Sequence, residues 1–302
     1  MEQIKDKSLI IMDGGMGREL ERMGAPFKQP EWSALALMEA PETVRAAHDN
    51  FINAGAEVII TNAYAVVPFH IGQEHFNTQG RELIALSAQL ARQAADAAPH
   101  EVLVAGCIPP LFGSYNPDAF CGNEALDILM PLIEEQQNHV DIWIIETISS
   151  IKEGEFVAKT LAKTGKPLWA AFTLTDRKDR NETPTIRSEN TVENAVKTAI
   201  EWPNTEAILF NCSQPEEMET ALNIASNIVP DHFSLGAYAN TFEKRTKKGH
   251  LANEQITTLK ENLLPPDYYA FAKQWRKAGA NIIGGCCGIG PDYIAYLKEH
   301  LS

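Results

Sequence analysis

The chain has 302 residues, of which 44% are hydrophobic and 22% charged, and its formal net charge is −14. This composition is typical of a globular protein, and the length suits one large α/β domain or two smaller ones. The acidic balance argues against nucleic acid as a partner, because phosphate binding needs a basic face. The short basic run at 244–248 is interpreted as a solvated loop.

Short apolar runs recur along the chain, each followed by a longer segment with helical spacing. Pro41, Pro215 and Pro291 are each followed by an acid, which is typical of a helix start. Amphipathic segments predict helices, for example at 41–54, 80–98 and 191–201. The predicted strands are 9–12, 58–61, 102–106, 142–146, 168–172, 207–211, 233–237 and 282–285.

Eight strand–helix units in a chain of this length predict a (β/α)8 barrel, as a single domain over 1–302. The alternative is a doubly wound open sheet, which would carry a glycine-rich phosphate loop after its first strand. The Asp-Gly-Gly-Met-Gly run at 13–17 lies there, but it lacks the G-x-G-x-x-G spacing. We therefore expect the barrel.

The active site of such a barrel lies at the carboxyl ends of its strands, so polar residues that end the predicted strands should converge. These residues are Asp13, Thr61, Asn62, Cys107, Glu146, Thr173, Asn211, Cys212, Tyr238, Asn240, Cys286 and Cys287.

The five cysteines occupy positions 107, 121, 212, 286 and 287. The odd number, the lack of a signal-peptide pattern and the lack of any apolar window near ~18 residues predict a cytoplasmic protein without a membrane span. Metal or thiol chemistry is then favoured over disulfides. Cys107 and Cys121 are interpreted as small buried hydrophobic residues.

A Gly-Gly-Cys-Cys-Gly run at 284–288 ends the eighth predicted strand, and Cys212 ends the sixth. Adjacent cysteines rarely bridge each other, because the ring would be strained. In a barrel both strand ends open at the same mouth, so Cys212, Cys286 and Cys287 are predicted metal ligands. Three thiolates without an obvious fourth ligand describe an open zinc site.

A zinc ion held by three thiolates is a weak Lewis acid for water, because its ligands already donate much charge. It suits the binding of a further thiol, which loses its proton on coordination. The reaction that this chemistry favours is alkyl transfer to a substrate thiol.

The run at 13–17, the Asn211-Cys212 pair and the run at 284–288 resemble the homocysteine S-methyltransferase family, and the resemblance covers essentially the whole chain. It implies a (β/α)8 barrel whose three cysteines hold zinc. It also implies that homocysteine sulfur takes the fourth position and receives a methyl group, which gives methionine.

The resemblance further implies that Asp13 and Glu146 are catalytic and substrate-binding residues that face the amino group of homocysteine. An ammonium group in a semi-enclosed mouth needs carboxylates, and a buried carboxylate needs a partner. Thr61 matches a family position near the same ligand. The backbone amides around Gly14 and Gly15 are expected to bind the substrate carboxylate.

The expected mechanism is in-line displacement at the methyl group of a cationic donor. Betaine-using family members carry tyrosines that match positions near Ala65 and Thr147, where this chain has no aromatic residue, and the segment 106–115 departs from the Gly-Ser start of the family. S-methylmethionine is therefore the favoured donor, ahead of S-adenosylmethionine. Aromatic candidates for the donor pocket are Trp32, Tyr64, Phe69, Phe112, Tyr115 and Phe120, and His70 or His75 could also line it.

Two alternatives are consistent with the same residues. One is a homocysteine-activating subunit that works with a corrinoid protein. The other is a zinc- or thiol-binding barrel without catalysis, for which a fourth protein ligand such as Cys107 would be evidence. A monomer or small homo-oligomer is expected, because no long extension follows Leu297.

Overall fold

Eight parallel strands form one sheet in the computed structural model, which describes residues 8–177, 179, 181–243, 258–260 and 262–301. The basic run at 244–248 lies outside these residues. The strands are β1 (Ile10–Ile11), β2 (Val58–Ile60), β3 (Leu103–Ile108), β4 (Ile142–Ile148), β5 (Leu168–Thr173), β6 (Thr205–Asn211), β7 (Ser234–Tyr238) and β8 (Ile282–Ile283).

The sheet closes on itself. Consecutive strands pair from β2 to β8, and β8 pairs with β1. A parallel bridge between Met12 and Val58 joins β1 to β2. The amide of Asp13 donates to the carbonyl of Val58 over 2.9 Å, and the amide of Glu57 donates to the carbonyl of Ile11 over 2.7 Å. The predicted (β/α)8 barrel is confirmed, and the open doubly wound sheet is wrong.

Helices surround the barrel, and within the described residues none is both long and apolar enough to cross a bilayer. Pro41, Pro215 and Pro291 begin three of them, as predicted. The described helices are α1 (Met16–Arg22), α2 (Ala34–Glu39), α3 (Pro41–Asn53), α4 (Pro68–Ile71), α5 (Gln73–Asp96), α6 (Gly122–Gln136), α7 (Ile151–Leu161), α8 (Val192–Ala199), α9 (Pro215–Ser226), α10 (Pro265–Lys277) and α11 (Pro291–Leu301).

Several boundaries differ from the predicted ones. Helix α5 begins at Gln73 rather than at Gly80. Gly80 lies inside the helix against the ring of Phe76, where a Cβ atom would lie 2.9 Å from Phe76 Cδ2. Strand β4 continues past Glu146 to Ile148, with a register shift against β5 between Ile145 and Ile148. This irregularity reshapes the carboxyl end of β4 at the mouth of the barrel.

The interior of the barrel has its own apolar core, separate from the larger core between sheet and helices. Side chains alternate between the two faces of a strand, so every second residue points inward. Ile142 and Ile144 of β4 lie in the interior core, and Glu146 therefore continues the same face at the carboxyl end. Cys107 follows Leu103 and Ala105 of β3 in the same way.

Candidate active site

Three cysteines converge at the carboxyl ends of β6 and β8. The Sγ atoms of Cys212, Cys286 and Cys287 all lie within 4.8 Å of one another, and Cys286 Sγ is 2.9 Å from Cys212 Sγ. Elsewhere in the described part of the chain no group of three or more metal-ligating side chains lies this close together. The structure therefore assembles a candidate metal site from the three residues that the sequence singles out.

Glycines allow the two loops that carry this site to pack tightly. A Cβ atom on Gly285 would lie 2.1 Å from Ile289 Cγ2, and one on Gly15 would lie 2.5 Å from the carbonyl oxygen of Cys286. A Cβ atom on Gly14 would lie 2.2 Å from the carbonyl oxygen of Ile289. The glycine-rich runs at 13–17 and 284–288 are therefore needed for close backbone contact.

The three thiols influence one another. Hydrogen bonds from Cys286 and Cys287 lower the pKa of Cys212 well below that of an ordinary thiol, and Tyr115 contributes in the same direction. The same contacts with Cys212 raise the pKa of Cys286 and of Cys287. A cation placed among the three sulfur atoms would favour the thiolate form of all of them.

Asp13 lies beside the cluster, at the end of β1, and is 2% exposed. The amide of Ile60 donates to Asp13 Oδ2 over 2.8 Å, whereas Oδ1 has no hydrogen-bond partner among the described residues. Burial, and to a lesser degree the charge of Glu146, raises the pKa of Asp13 well above its usual value. A buried oxygen without a partner is costly, which indicates a site for a ligand that donates hydrogen bonds.

Glu146 is the second carboxylate of the cavity. The hydroxyl of Tyr238 donates to its Oε1 and the thiol of Cys107 donates to its Oε2, each over 3.1 Å. Burial raises the pKa of Glu146 to about 7, although both hydrogen bonds act in the opposite direction. Cys107 thus contacts this carboxylate and lies apart from the three clustered sulfur atoms, so among the described residues it is not a fourth member of the metal site.

Thr61 lines the cavity, but its hydroxyl is already used inside the protein. It donates to Gln136 Oε1 over 2.6 Å and accepts from the amide of Cys107 over 3.0 Å. The side-chain amide of Gln136 donates to the carbonyl of Cys107 over 3.1 Å. Thr61 and Gln136 therefore hold Cys107 under Glu146, and contact of Thr61 with the substrate stays a prediction.

Asn211, which precedes Cys212 in the sequence, has a structural role next to the cluster. Asn211 accepts from the amide of Thr147 and donates to its hydroxyl, each over 3.0 Å. Thr147 has φ 55° and Cys212 has φ 47°, both in the left-handed region that non-glycine residues rarely adopt. Asn211 therefore fixes the irregular backbone of β4 at Thr147 beside the turn that presents Cys212.

The backbone near Gly14 lines the cavity on one side and packs against the loop at Ile289 on the other. Gly14 and Gly15 line the cavity. The amide of Gly15 donates to the carbonyl of Ile289 over 2.9 Å, so it already has a partner. Binding of the substrate carboxylate by Gly14 stays a prediction.

Of the aromatic residues proposed for a donor pocket, Trp32, Tyr64 and Tyr115 line the cavity. Phe112 and Phe120 instead pack against each other, with ring centroids 6.1 Å apart. The side-chain oxygens of Tyr64 and Ser114 are 2.6 Å apart.

The two histidines singled out after the second strand do not line the cavity. His70 is buried behind Trp32, with its Nδ1 atom 2.9 Å from the carbonyl oxygen of Pro30. His75 is exposed on α5. His70 therefore supports the loop that carries Trp32.

The roles of Cys107, Tyr238 and Gln136 in holding Glu146 were not found from the sequence. Alternation along β3 would have placed Cys107 on the interior face beside Glu146, so that signal was present. Gln136 ends helix α6, and no local pattern in the sequence links it to β2 or β3.

Fold and site together define a (β/α)8 barrel with a cysteine cluster and two buried carboxylates at the carboxyl ends of its strands. The family model for homocysteine S-methyltransferase matches residues 10–301, and the chain belongs to this family. The predicted family is confirmed. Membership favours an enzyme over a barrel that only binds metal or thiols.

Known relatives match over nearly their full length. The chain is 29% identical to the homocysteine S-methyltransferase of Escherichia coli (strain K12) over 312 residues, which cover 97% of this chain and 95% of that protein. It is 24% identical to the selenocysteine methyltransferase of Astragalus bisulcatus over 325 residues, which cover 97% of this chain and 92% of that protein.

Solved structures agree with this relationship. The metallated form of the homocysteine methyltransferase MmuM from Escherichia coli has a TM-score of 0.80 at 27% identity, covering 99% of this chain and 98% of that chain. The apo form has a TM-score of 0.73 at 26% identity, covering 98% of this chain and 97% of that chain.

Removal of one clustered thiol should abolish metal binding. We expect about one metal ion per purified wild-type chain and almost none in Cys286→Ala, because two thiolates hold a metal far more weakly than three. Elemental analysis after dialysis measures this. Cys121→Ala is the matched control, since Cys121 lies outside the cluster, and it should keep the wild-type metal content. Full retention by Cys286→Ala would exclude the cluster as the metal site.

Proposed function

We propose that this protein transfers a methyl group from a small sulfonium donor, with S-methylmethionine favoured, to the thiolate of homocysteine, and so forms methionine. The observation that carries the proposal is one cavity that contains both a three-cysteine cluster and a buried oxygen of Asp13 that has no hydrogen-bond partner among the described residues. Homocysteine carries a thiol and an ammonium group, which match these two features. The homocysteine-binding unit is the single barrel domain, 1–302.

Cys212, Cys286 and Cys287 would hold zinc. Sulfur atoms bound to a tetrahedral ion at about 2.3 Å lie roughly 3.8 Å apart, and the cluster, with one pair at 2.9 Å and all pairs within 4.8 Å, spans that spacing. Soft thiolates also favour zinc over magnesium or calcium. When bound, zinc would supply the acidity that removes the proton from the homocysteine thiol. The metallated form of the Escherichia coli relative supports a metal in this family.

Asp13 and Glu146 would bind the ammonium group. Asp13 offers Oδ1, which no described residue binds, and Glu146 is held in place by Tyr238 and Cys107. Burial, and to a lesser degree repulsion from Glu146, raises the pKa of Asp13. An ammonium group near both would relieve that repulsion and favour the charged carboxylates. The same contacts would orient the substrate so that its sulfur reaches the cysteine cluster.

The methyl donor would occupy the aromatic part of the cavity. Trp32, Tyr64 and Tyr115 line the cavity that also contains the clustered cysteines. Aromatic faces attract cations, and a sulfonium ion can approach them without losing a strong hydration shell. Thr147 lines the same cavity, and Ala65 is buried outside it. Thr147 supplies no aromatic ring there, which supports a sulfonium donor over betaine, whereas Tyr64, next to Ala65 in the sequence, does line the cavity.

A donor panel tests the proposed activity directly. Zinc-loaded protein is mixed with carbon-labelled homocysteine and one donor: S-methylmethionine, S-adenosylmethionine, betaine or a methylated corrinoid. The label is needed because S-methylmethionine itself becomes methionine when it loses a methyl group. We expect labelled methionine, measured by mass spectrometry, with S-methylmethionine as the best donor and none in Cys286→Ala.

Two results would contradict the proposal. Labelled methionine formed only with the methylated corrinoid would identify the homocysteine-activating subunit instead. No labelled methionine with any donor, in protein shown to contain zinc, would exclude methyl transfer to homocysteine.

Homocysteine affinity should depend on pH through Glu146. Because burial raises the pKa of Glu146 to about 7, the carboxylate becomes protonated below pH 7 and its attraction for the ammonium group is lost. The KM for homocysteine should therefore rise as pH falls, by at most about tenfold per pH unit from this group. The titratable groups whose charge or hydrogen bonds interact with Glu146, and which therefore contribute to this pH dependence, are Asp13, Cys107, Cys212 and Tyr238.

Proton loss from the substrate thiol also depends on pH, so the control is 4-mercaptobutyrate, which has the thiol but no amino group. The inhibition constant of this analogue should show the thiol dependence alone. Glu146→Gln should raise the KM for homocysteine at pH 8 and reduce the additional dependence to the part that Asp13 contributes. Identical pH profiles for homocysteine and the analogue in the wild type would rule out the ammonium-binding role.

A further inference from the structure

A tyrosine from the loop between β3 and α6 contacts the cysteine cluster. The hydroxyl of Tyr115 donates to Cys212 Sγ over 3.0 Å and lies 3.4 Å from the carbonyl oxygen of the same residue. The side-chain amide of Asn240 is farther from that sulfur, at 3.9 Å. Tyr115 therefore makes the shortest of these contacts with Cys212 from outside the cluster itself.

The backbone at both ends of this contact is unusual. Tyr115 has φ 64° and Cys212 has φ 47°. A bulky residue in the left-handed region is strained, and such strain persists only where the surrounding structure fixes it. Gly113, with φ 112°, allows the turn that precedes Tyr115. The chain thus adopts two unfavourable conformations where the phenol meets the sulfur.

A cation lies over the same tyrosine. The guanidinium carbon of Arg187 is 5.0 Å from the ring centroid of Tyr115. Arg187 belongs to the segment between β5 and α8, where the amide of Ser188 donates to the carbonyl of Ser149 over 3.0 Å. A cation over the face of a phenol draws electron density from the ring, which makes its hydroxyl a stronger hydrogen-bond donor.

We infer that Tyr115 is a positioning residue of the metal site, whose hydroxyl orients the Cys212 sulfur and withdraws charge from it, with Arg187 strengthening that hydrogen bond. Partners outside the ligand set commonly orient ligands and adjust the charge at a metal. A less negative Cys212 sulfur leaves a bound metal more electron-poor, which favours coordination of a further thiol. The inference rests on the metal site of the proposed function.

The test compares Tyr115→Phe with wild type, since phenylalanine keeps the ring under Arg187 and removes only the hydroxyl. In protein loaded with Co²⁺, the sulfur-to-metal charge-transfer band should shift to lower energy, because Cys212 becomes more electron-rich. The affinity for Zn²⁺, measured by competition with a chromophoric chelator, should fall about 10- to 100-fold, because the Cys212 sulfur loses the contact that orients it. Arg187→Met should shift both quantities in the same direction by a smaller amount.

Tyr269→Phe is the matched control for metal affinity and spectrum, because Tyr269 does not line the cavity and its hydroxyl donates to the carbonyl of His300 over 3.3 Å. It should match wild type in both measurements. An unchanged band and affinity in Tyr115→Phe, or equal changes in Tyr269→Phe, would overturn the role of Tyr115. Failure of the wild type to bind zinc would instead overturn the metal site of the proposed function.

Discussion

The contact between two glycine-rich loops, at 13–17 and 284–288, is the constraint on which the site depends. The amide of Gly285 donates to the carbonyl of Asp13 over 2.9 Å, and Gly15 packs directly on the carbonyl of Cys286. These loops follow β1 and β8, which pair where the barrel closes. Closure of the barrel therefore brings one of the buried acids next to two of the three cysteines, although they lie near opposite ends of the sequence.

Burial changes the protonation of the acidic groups that line the cavity. Asp13 and Glu146 are charged only at a cost, since burial raises the pKa of both. The three thiols are likewise crowded, and their protonation is interdependent. A substrate that brings an ammonium group to the acids, and a metal that binds the thiols, would stabilise both sets of charges. The proposed recognition of homocysteine therefore follows from the two buried acids, which an ammonium group would stabilise, and from the three crowded thiols, which a metal would stabilise.

Much of this structure could be predicted from the sequence, because it follows from periodicity and spacing. Glu146 was expected at the mouth because it ends a predicted strand, and paired cysteines between glycines marked the end of β8. The support around Glu146 was missed because it depends on how Cys107 lies across from β4, where it pairs with Ile144, and on Gln136 at the end of a helix.

Loop directions were also beyond the sequence. Phe112 and Phe120 turn away from the cavity, whereas the left-handed turn at Tyr115 directs its phenol to Cys212. X-ray absorption at the zinc edge tests the proposed open metal site most directly. Zinc in the free protein should have three sulfur ligands, and homocysteine should add a fourth at about 2.3 Å, whereas homoserine, with oxygen in place of sulfur, should not. A sulfur count that homocysteine leaves unchanged would contradict the proposed binding of the substrate thiol to the metal.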